Sequence, residues 1–325
     1  MKALRCEKKA TKVVTSLVDL PKKNFESGLV RIASEWSGIN YKDALGVTGA
    51  GLIFKTFPIV PGIDVAGTVT ESQNEKFKAG DTVTVTGCGL GETHDGGYAE
   101  EVLEPEENVV KLPTSLSTKE AMTYGTAGFT AALALERMLM NGQEVEMGPI
   151  VVTGASGGVG QFATSFFAKS GFEVWAVSGK QNSHDRLKSL GAERVVTPDE
   201  IQRSKRPLDK AHFGGIVDNV GGEMLKELIP HVQLWGNIGC IGLASGHKLD
   251  TTVMPMILRG VSLLGVSSNN CKWTLREKIW QRLGDDLKPE NLDSFIAGEI
   301  GLEQVMEKSQ DLLDRKITGR TLIKF

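Results

Sequence analysis

The sequence predicts an α/β protein with two architectures: a mostly β unit and a doubly wound, mainly parallel sheet. Three observations lead to this fold class. Glycine turns separate short strand patterns before residue 113, and strand and helix patterns alternate after residue 149. Between them, Pro149–Gly171 reads as a buried strand, a glycine-rich turn and an amphipathic helix. The final strand pattern, Thr321–Phe325, is expected to return to the first unit.

The glycine-rich turn is the clearest sign of a nucleotide site. It follows the apolar run Ile150–Val152 and contains Ala155-x-Gly157-x-x-Gly160, which departs from the strict three-glycine motif. Such a turn places backbone N–H groups and the positive end of a helix against a pyrophosphate, which glycine lets approach closely. The alternative is a turn that only reverses the chain. We predict that the cofactor contacts Ser156, Gly157, Gly158 and Val159.

Composition limits the classes of function. The chain has 325 residues, enough for two domains, and its 40% hydrophobic and 24% charged residues are typical of a soluble globular protein. A net charge of −3 gives no reason to expect nucleic acid as a partner. No apolar run approaches the ~18 residues of a membrane span, and MKALRCEKKA lacks a signal-peptide core. We therefore expect a cytoplasmic protein.

Metal and disulfide frameworks are not expected, because the cysteines are scattered and none is part of a CxxC pair or a cluster with histidine. Two of them, Cys88 and Cys240, are interpreted as small buried hydrophobic residues. No metal site is predicted.

The strand and helix patterns follow in order along the chain. In the first unit, strands are predicted at 29–33, 64–69 and 81–85, with a short helical turn at 40–45. Ser117 and Glu120 have the spacing of a capping box that opens a helical stretch over 121–140, which Gly125 and Gly128 could divide into two. Further strands are predicted at 173–177, 194–196, 215–218, 234–241 and 262–266.

The cofactor is predicted from the residues after the strand 173–177. An NAD enzyme usually carries a carboxylate here, bonded to the ribose 2′-hydroxyl. This chain has Ser178, Gly179 and Lys180 instead. A hydroxyl and an ammonium group can donate to a 2′-phosphate, so we predict NADPH. The alternative is that Lys180 is an ordinary solvated loop lysine.

Four stretches of the sequence, 40–45, 58–69, 86–100 and 153–160, resemble the medium-chain dehydrogenase/reductase superfamily. They are most similar to its YhdH/AcuI branch of quinone oxidoreductases and acryloyl-CoA reductases, for which TGCGLGETHDGGYAE is specific, and the resemblance covers essentially the whole chain. It implies a GroES-like, partly open β-barrel catalytic domain (1–122 and 266–325) and an inserted Rossmann NADP-binding domain (123–265). It also implies NADPH as hydride donor and a homodimer joined through Rossmann-domain sheets.

The sequence departs from the zinc-dependent members of this superfamily. They carry a cysteine ligand where Asn40-Tyr41 lies here, and Gly-His-Glu where Gly62-Ile63-Asp64 lies here. Without Cys and His at these positions, a catalytic zinc has no first coordination shell. The resemblance therefore points away from simple alcohol oxidation and towards hydride addition to an already polarised alkene.

Three residues are predicted to be catalytic. Tyr41 is expected at the nicotinamide, where it contacts the cofactor or donates to the substrate oxygen. Asn40 is a second possible donor, or a helix cap. Asp64 is a catalytic acid, or the ion-pair partner of Lys42 or Arg320. His94 is interpreted as a turn residue in preference to an acid or base.

Further cofactor contacts are expected at strand ends and near the C-terminus. Leu243 and Ser268 follow two predicted strands and should line the nicotinamide pocket, as should the loop that begins at Asp218. Thr126 lies in Tyr124–Gly128, a segment that resembles the superfamily's helix beside the nicotinamide ribose, and Arg320 could reach the cofactor from the other domain.

Three functions are compatible with the sequence. The first is an NADPH-dependent reductase of enoyl thioesters such as acryloyl-CoA, whose phosphates would need basic residues such as Lys42, Lys55 or Arg320. The second is an NADPH-dependent quinone or enone reductase. The third is an NADPH-binding protein with a structural or regulatory role and little turnover.

Overall fold

The computed structural model describes residues 1–325, which form two compact units. The first unit comprises Met1–Thr126 and Asn269–Phe325, and the second comprises Ala127–Ser268. The predicted domain limits, after residues 122 and 265, lie close to these divisions. None of the helices combines the length and apolar character that a membrane crossing requires.

The first unit is built mainly from β-strands. Its N-terminal elements are β1 (Lys2–Lys9), β2 (Lys12–Asp19), β3 (Leu29–Ile39), α1 (Tyr41–Thr48), β4 (Asp64–Ser72), β5 (Thr82–Thr86), β6 (Glu101–Pro105) and β7 (Val110–Lys111). The helix α2 (Thr118–Met140) then leads into the second unit. The predicted capping box is present, because the Ser117 N–H donates to Glu120 at 2.8 Å and the Glu120 N–H donates to the Ser117 hydroxyl at 3.2 Å.

The second unit alternates strands and helices. Its elements are β8 (Ile150–Val152), α3 (Gly158–Lys169), β9 (Val174–Val177), α4 (His184–Ser189), β10 (Arg194–Val196), β11 (Phe213–Asp218), α5 (Gly222–Leu228), β12 (Val232–Cys240), α6 (Met254–Arg259) and β13 (Ser262–Gly265). All six strands are parallel, in the order β10-β9-β8-β11-β12-β13. This is the doubly wound order, whose direction reverses between β8 and β11, so the predicted fold class is confirmed.

The C-terminal segment completes the first unit. Its elements are α7 (Trp273–Leu283), β14 (Ile296–Ile300), α8 (Val305–Leu313) and β15 (Arg320–Lys324). Strand β15 lies antiparallel to β3, with Thr321 opposite Ile39, in a sheet ordered β14-β15-β3-β4-β5-β7 to which β6 adds through β3. The last strand therefore returns to the first unit, as predicted. It also brings Arg320 next to the end of β3.

Each unit has its own apolar core. In the first unit, the inward faces of β3, β4 and β5 contribute buried residues such as Ile32, Val65 and Val83. In the second unit, Val151, Ile216 and Ile238 lie on three neighbouring strands and pack together. Strands covered on both faces read as continuous apolar runs, which is why the sequence predicts the parallel sheet well.

Candidate active site

Five polar residues of the first unit meet where three strands and two helices begin or end. Asn40 precedes α1, Asp43 lies in its first turn, Asp64 opens β4, Arg320 opens β15, and Thr126 follows a kink in α2. We call this group the Asn40 cluster. It contains two of the three predicted catalytic residues and two of the predicted cofactor contacts.

Asp64 is the centre of the cluster and is completely buried. Its carboxylate accepts hydrogen bonds from Asn40 Nδ2 at 2.7 Å, from Thr126 N–H at 2.9 Å and from Thr126 Oγ1 at 2.6 Å. The Arg320 guanidinium lies 3.5 Å from the Asp64 carboxylate and neutralises its negative charge. The other predicted partner, Lys42, pairs with Glu92 at 2.8 Å. The geometry thus favours Asp64 as the ion-pair partner of Arg320, and its burial disfavours the acid role.

The kink in α2 depends on this carboxylate. Gly125 has φ 48° and ψ −155°, so the helix restarts at Thr126, whose N–H points at Asp64. A carboxylate at a helix start is stabilised by the local dipole. A Cβ on Gly125 would lie 2.5 Å from Asp64 Oδ2 and 2.4 Å from Arg320, so only glycine fits here.

Asn40 is held on both sides of its amide. Its Nδ2 donates to Asp43 at 3.1 Å and to Asp64 at 2.7 Å, and its Oδ1 accepts from Arg320 at 2.9 Å. Its backbone N–H donates to Asp43 at 3.0 Å. Since both amide hydrogens are already engaged, the geometry favours the capping alternative for Asn40 over donation to a substrate.

Arg320 is also held inside the first unit. Its side chain is buried, and the guanidinium donates to the backbone oxygens of Thr123 and Ile39 as well as to Asn40. The same burial lowers its pKa, against the opposing effect of Asp64. The predicted direct cofactor contact by Arg320 is therefore disfavoured, because its guanidinium is already engaged by Asn40 and Asp64.

Sequence reasoning missed Asp43, which is fully buried beside Asp64. Burial, followed by the charge of Asp64, raises the pKa of Asp43 to about 7, although it accepts hydrogen bonds from Asn40 and from the Ile63 N–H at 3.0 Å. The signal was present in the sequence, because Asn40 and Asp43 have the spacing of a helix N-cap and its third residue.

The pH dependence of the free energy of unfolding tests the raised pKa of Asp43. Between about pH 4 and pH 7 the folded protein holds the Asp43 proton more firmly than the unfolded chain, so the free energy of unfolding should fall as pH rises through that window. Asp43→Asn removes this titration. We expect the free energy of unfolding, measured by urea denaturation, to be lower in the variant than in the wild type. Between pH 5 and pH 8, however, it should fall by less in the variant than in the wild type. Identical pH dependence in the two proteins would contradict the raised pKa.

Tyr41 differs from the other two predicted catalytic residues because it is accessible. It is the first residue of α1, directly after Asn40, and its side chain is 49% exposed. The hydrogen bonds of Asn40 and Asp43 fix the start of the helix on which it stands. Among the three candidates, Tyr41 alone is placed to touch a bound molecule.

His94 and two cysteines of the sequence analysis lie outside the Asn40 cluster. His94 Nε2 lies 2.9 Å from the buried carboxylate of Glu104, a bond that raises the pKa of His94. This anchors the loop that carries it, in keeping with the predicted turn role. The interpretation of Cys88 and Cys240 as buried was wrong, since both are only half-buried, at a positive-φ turn and at a strand end respectively.

The second unit holds the glycine turn at the edge of its parallel sheet. Val152 lies opposite Ala176 in the pairing of β8 and β9, so the residues that follow these strands emerge at one edge. Gly157 is the N-cap of α3, with Gly158 and Val159 in its first turn and Ser156 just before it. A Cβ on Gly160 would lie 2.4 Å from the Gly154 oxygen, so the helix packs directly on the turn.

The loop after β9 has the residues predicted to read the nucleotide. Ser178 is buried, and its Oγ accepts from the Lys180 N–H at 3.2 Å and lies 3.1 Å from Ser183 Oγ. Gly179 is exposed and Lys180 half-buried. The Ser178 hydroxyl therefore stabilises the loop from inside, while Gly179 and Lys180 lie at the surface of the loop.

A buried acceptor at the point where the strand order reverses also fits a dinucleotide. The Thr153 hydroxyl donates to Asp218 at 2.7 Å, and Asn219 donates from its backbone N–H to Thr153 Oγ1 and from Nδ2 to the Thr153 oxygen. Asn219 Oδ1 is buried without a hydrogen-bond partner. Parallel α/β sheets bind ligands at this point, and a ribose hydroxyl or amide would satisfy the orphaned oxygen.

Two further predicted contacts follow strands of the same sheet. Leu243 lies after β12 and is exposed, and Ser268 lies after β13 and is half-buried. Their carboxyl-end positions agree with the edge that carries the glycine turn, and their contact with a cofactor stays a prediction.

The side chains present do not suit zinc. No group of three or more His, Cys, Asp and Glu side chains is placed to hold a metal ion. At Asp64 the neighbours are the Asn40 amide, the Thr126 hydroxyl, the Arg320 guanidinium and one further carboxylate, that of Asp43. The guanidinium already supplies the positive charge that a metal cation would otherwise bring to this site. This donor set lacks the thiolate and imidazole ligands typical of zinc.

Comparison with known proteins identifies both units. The alcohol dehydrogenase GroES-like domain family matches residues 26–114, and the zinc-binding dehydrogenase family matches residues 158–284. The chain is 43% identical to the probable acrylyl-CoA reductase AcuI of Escherichia coli over 100% of this chain and 99% of that protein. It is 42% identical to the putative quinone oxidoreductase YhfP of Bacillus subtilis, over 99% and 98% of the two chains.

Solved structures give the same result. The yhdH oxidoreductase from Salmonella enterica, crystallised in complex with NADP, has a TM-score of 0.95 and 42% identity, with 100% of both chains covered. Bacillus subtilis yhfP, crystallised with NAD bound, has a TM-score of 0.96 and 40% identity, over 100% of this chain and 99% of that one.

Proposed function

Because the chain belongs to the medium-chain dehydrogenase/reductase superfamily, in its YhdH/AcuI branch, we propose that it is an NADPH-dependent reductase of α,β-unsaturated carbonyl compounds. Acryloyl-CoA-like enoyl thioesters are the proposed substrate class. The observation that carries this proposal is the full-length 43% identity to the probable acrylyl-CoA reductase of Escherichia coli. NADP and NADPH occur in solved structures of about the same similarity. Ser178, Gly179 and Lys180 supply no carboxylate that would repel a 2′-phosphate.

The cofactor would be held by residues of the second unit. The N–H groups at the start of α3 would bind the pyrophosphate, Lys180 would bind the 2′-phosphate, and Asn219 Oδ1 would accept from a hydroxyl or amide donor. When bound, NADPH supplies hydride to the β-carbon of the acceptor, whose α-carbon then takes a proton. Binding and orientation by the protein convert this into a reaction between pre-positioned groups.

The first unit would supply the group that stabilises developing charge. Tyr41 donates from its hydroxyl to the carbonyl oxygen of the acceptor, where negative charge appears as the alkene is reduced. The Asn40 cluster holds the start of α1 and so fixes the tyrosine relative to the strands. Asp64 and Arg320 act by positioning, since neither is exposed.

A second candidate function is quinone or enone reduction by the same hydride step. The observation that favours it is the 42% identity to the putative quinone oxidoreductase YhfP, which also spans nearly the whole chain. Steady-state oxidation of NADPH separates the two. We expect kcat/KM to be highest with acryloyl-CoA and lower with 1,4-benzoquinone. The reverse order would favour the quinone reductase, and tight NADPH binding without turnover of any acceptor would favour a regulatory protein.

Tyr41→Phe tests the assigned donor. Removing the hydroxyl should lower kcat with acryloyl-CoA by about a hundredfold, the usual size of a single donor's contribution to the transition state, with little change in NADPH affinity. Lys8→Gln, on β1, provides a surface control in the same unit. Unchanged turnover together with unchanged NADPH affinity would rule out both roles considered for Tyr41.

We further propose a homodimer formed through β13, the edge strand of the parallel sheet. Leu263 on β13, Trp235 and Ile257 are large apolar side chains exposed in the single chain. An exposed apolar edge strand offers unpaired backbone groups to a second copy. Light scattering should give about twice the 35.0 kDa chain mass.

The four free cysteines support a location in the reducing cytoplasm.

A further inference from the structure

The surface next to α1, the helix that begins at Tyr41, is formed by two segments that run side by side. One is the chain after α1, residues 49–57, and the other is the glycine-rich loop 87–97. The Lys55 N–H donates to the Glu92 oxygen at 2.9 Å, and Thr56 Oγ1 donates to the Thr93 oxygen at 3.4 Å. Both segments are therefore fixed to each other next to the helix that carries Tyr41.

Of the two lysines on this surface, one is paired with a carboxylate and the other is not. Lys42, the residue after Tyr41, pairs with the Glu92 carboxylate at 2.8 Å. Lys55 is exposed, and its ammonium group makes no ion pair. Asp95, in the same loop as Glu92, pairs with Lys23 at 2.5 Å. Each carboxylate of the two segments therefore has its own cation, and Lys55 is left as the unpaired cation, although the whole chain carries a net charge of −3.

The same segment exposes apolar surface next to the unpaired cation. Leu52 is 100% exposed, and two residues further along the chain Phe54 packs edge-on against Phe57, with ring centroids 5.7 Å apart. Gly46 of α1 allows this, because a Cβ there would lie 2.5 Å from the Phe54 ring. An apolar rim with one free positive charge suits an amphipathic ligand that ends in phosphates.

We propose that Lys55 is a specificity-determining residue that recognises the phosphates of a CoA thioester, and that Glu92 moderates this recognition by neutralising Lys42. The inference rests on the proposed function and names the part of the substrate that the protein reads. It distinguishes anionic CoA thioesters from neutral acceptors such as quinones. Electrostatic attraction of this kind acts mainly at low ionic strength.

The test uses two variants with opposite charge changes. Lys55→Gln should raise KM for acryloyl-CoA on the order of fivefold at low salt, the size of an exposed charge interaction. Glu92→Gln, which frees Lys42, should lower it by a few-fold. Neither should change KM for 1,4-benzoquinone or the affinity for NADPH. The Lys55→Gln effect should disappear at high salt.

The matched control is Lys78→Gln. Lys78 lies in the turn between β4 and β5, at the opposite end of that hairpin from Asp64. It changes the net charge by the same amount, and we expect KM for acryloyl-CoA to stay constant. An equal effect of Lys78→Gln would show that only net charge matters and would overturn the inference.

Two other results would also overturn it. The first is an equal rise in KM for acryloyl-CoA and benzoquinone in Lys55→Gln, which would indicate a structural defect. The second is obtained by calorimetry without turnover, with NADP⁺-bound protein. Wild type should bind propionyl-CoA more tightly than propionyl-pantetheine, and Lys55→Gln should remove part of that difference. Equal affinities in the wild type would refute the inference, whichever acceptor the enzyme reduces.

Discussion

Replacing Asp64 with alanine is expected to lower the free energy of unfolding of the first unit by about 3 to 5 kcal/mol. The substitution leaves the buried Arg320 guanidinium without its counter-charge and removes the acceptor for the Thr126 N–H and hydroxyl. Because two units need not unfold in one transition, the measurement should be urea-dependent hydrogen exchange at the amides of β3 and β4.

Two companion variants show whether the cause is the unpaired charge. The double variant Asp64→Ala with Arg320→Met removes both charges and should be more stable than Asp64→Ala alone. Asp81→Ala breaks the more exposed pair with Lys111, which is 2.8 Å long, and should cost less than about 1 kcal/mol. A loss in Asp64→Ala no larger than that in Asp81→Ala would show that the cluster does not hold the first unit together.

The second large effect is expected at the glycine turn. In Gly160→Ala the new methyl group would lie 2.4 Å from the Gly154 oxygen and 2.6 Å from the Ala155 Cα, both backbone atoms that cannot simply rotate away. The turn must shift, and its N–H groups move with it. We expect NADPH affinity, measured by calorimetry, to fall roughly tenfold or more, which corresponds to the usual cost of overpacking.

Gly239→Ala provides the matched control for this substitution. Gly239 lies in β12 of the same sheet, where a Cβ would meet Ala134 at an ordinary 3.6 Å. NADPH affinity should be almost unchanged. Equal affinity in the wild type and Gly160→Ala would mean that the turn does not contact the nucleotide.

The sequence predicts local features well because they depend on neighbouring residues. Residues close together in the sequence determine the capping box at Ser117 and Glu120, the glycine turn and the parallel strands. The sequence does not predict the β1–β2 hairpin, because its two-residue turn lacks glycine and asparagine, and Ala10 takes φ 54° instead.

Partner choice at the site could not be read from the sequence, because it is decided by distant segments. Asp64 and Arg320 are 256 residues apart, and Lys42 and Glu92 are 50 apart. Only the pairing of β15 with β3 brings Arg320 to the end of β3, near Asn40. The burial that raises the pKa of Asp43 likewise depends on the folded unit as a whole.

The most direct test of the proposed reaction is to follow the transferred hydrogen. Purified enzyme, dialysed against a metal chelator, would be given acryloyl-CoA and NADPH deuterated at C4 on either face. We expect turnover to persist after dialysis. Of the two stereoisomers of deuterated NADPH, one should place a single deuterium at C3 of propionyl-CoA, with none at C2. Deuterium absent from the product, or activity that disappears with the chelator and returns with zinc, would contradict metal-independent hydride transfer from NADPH.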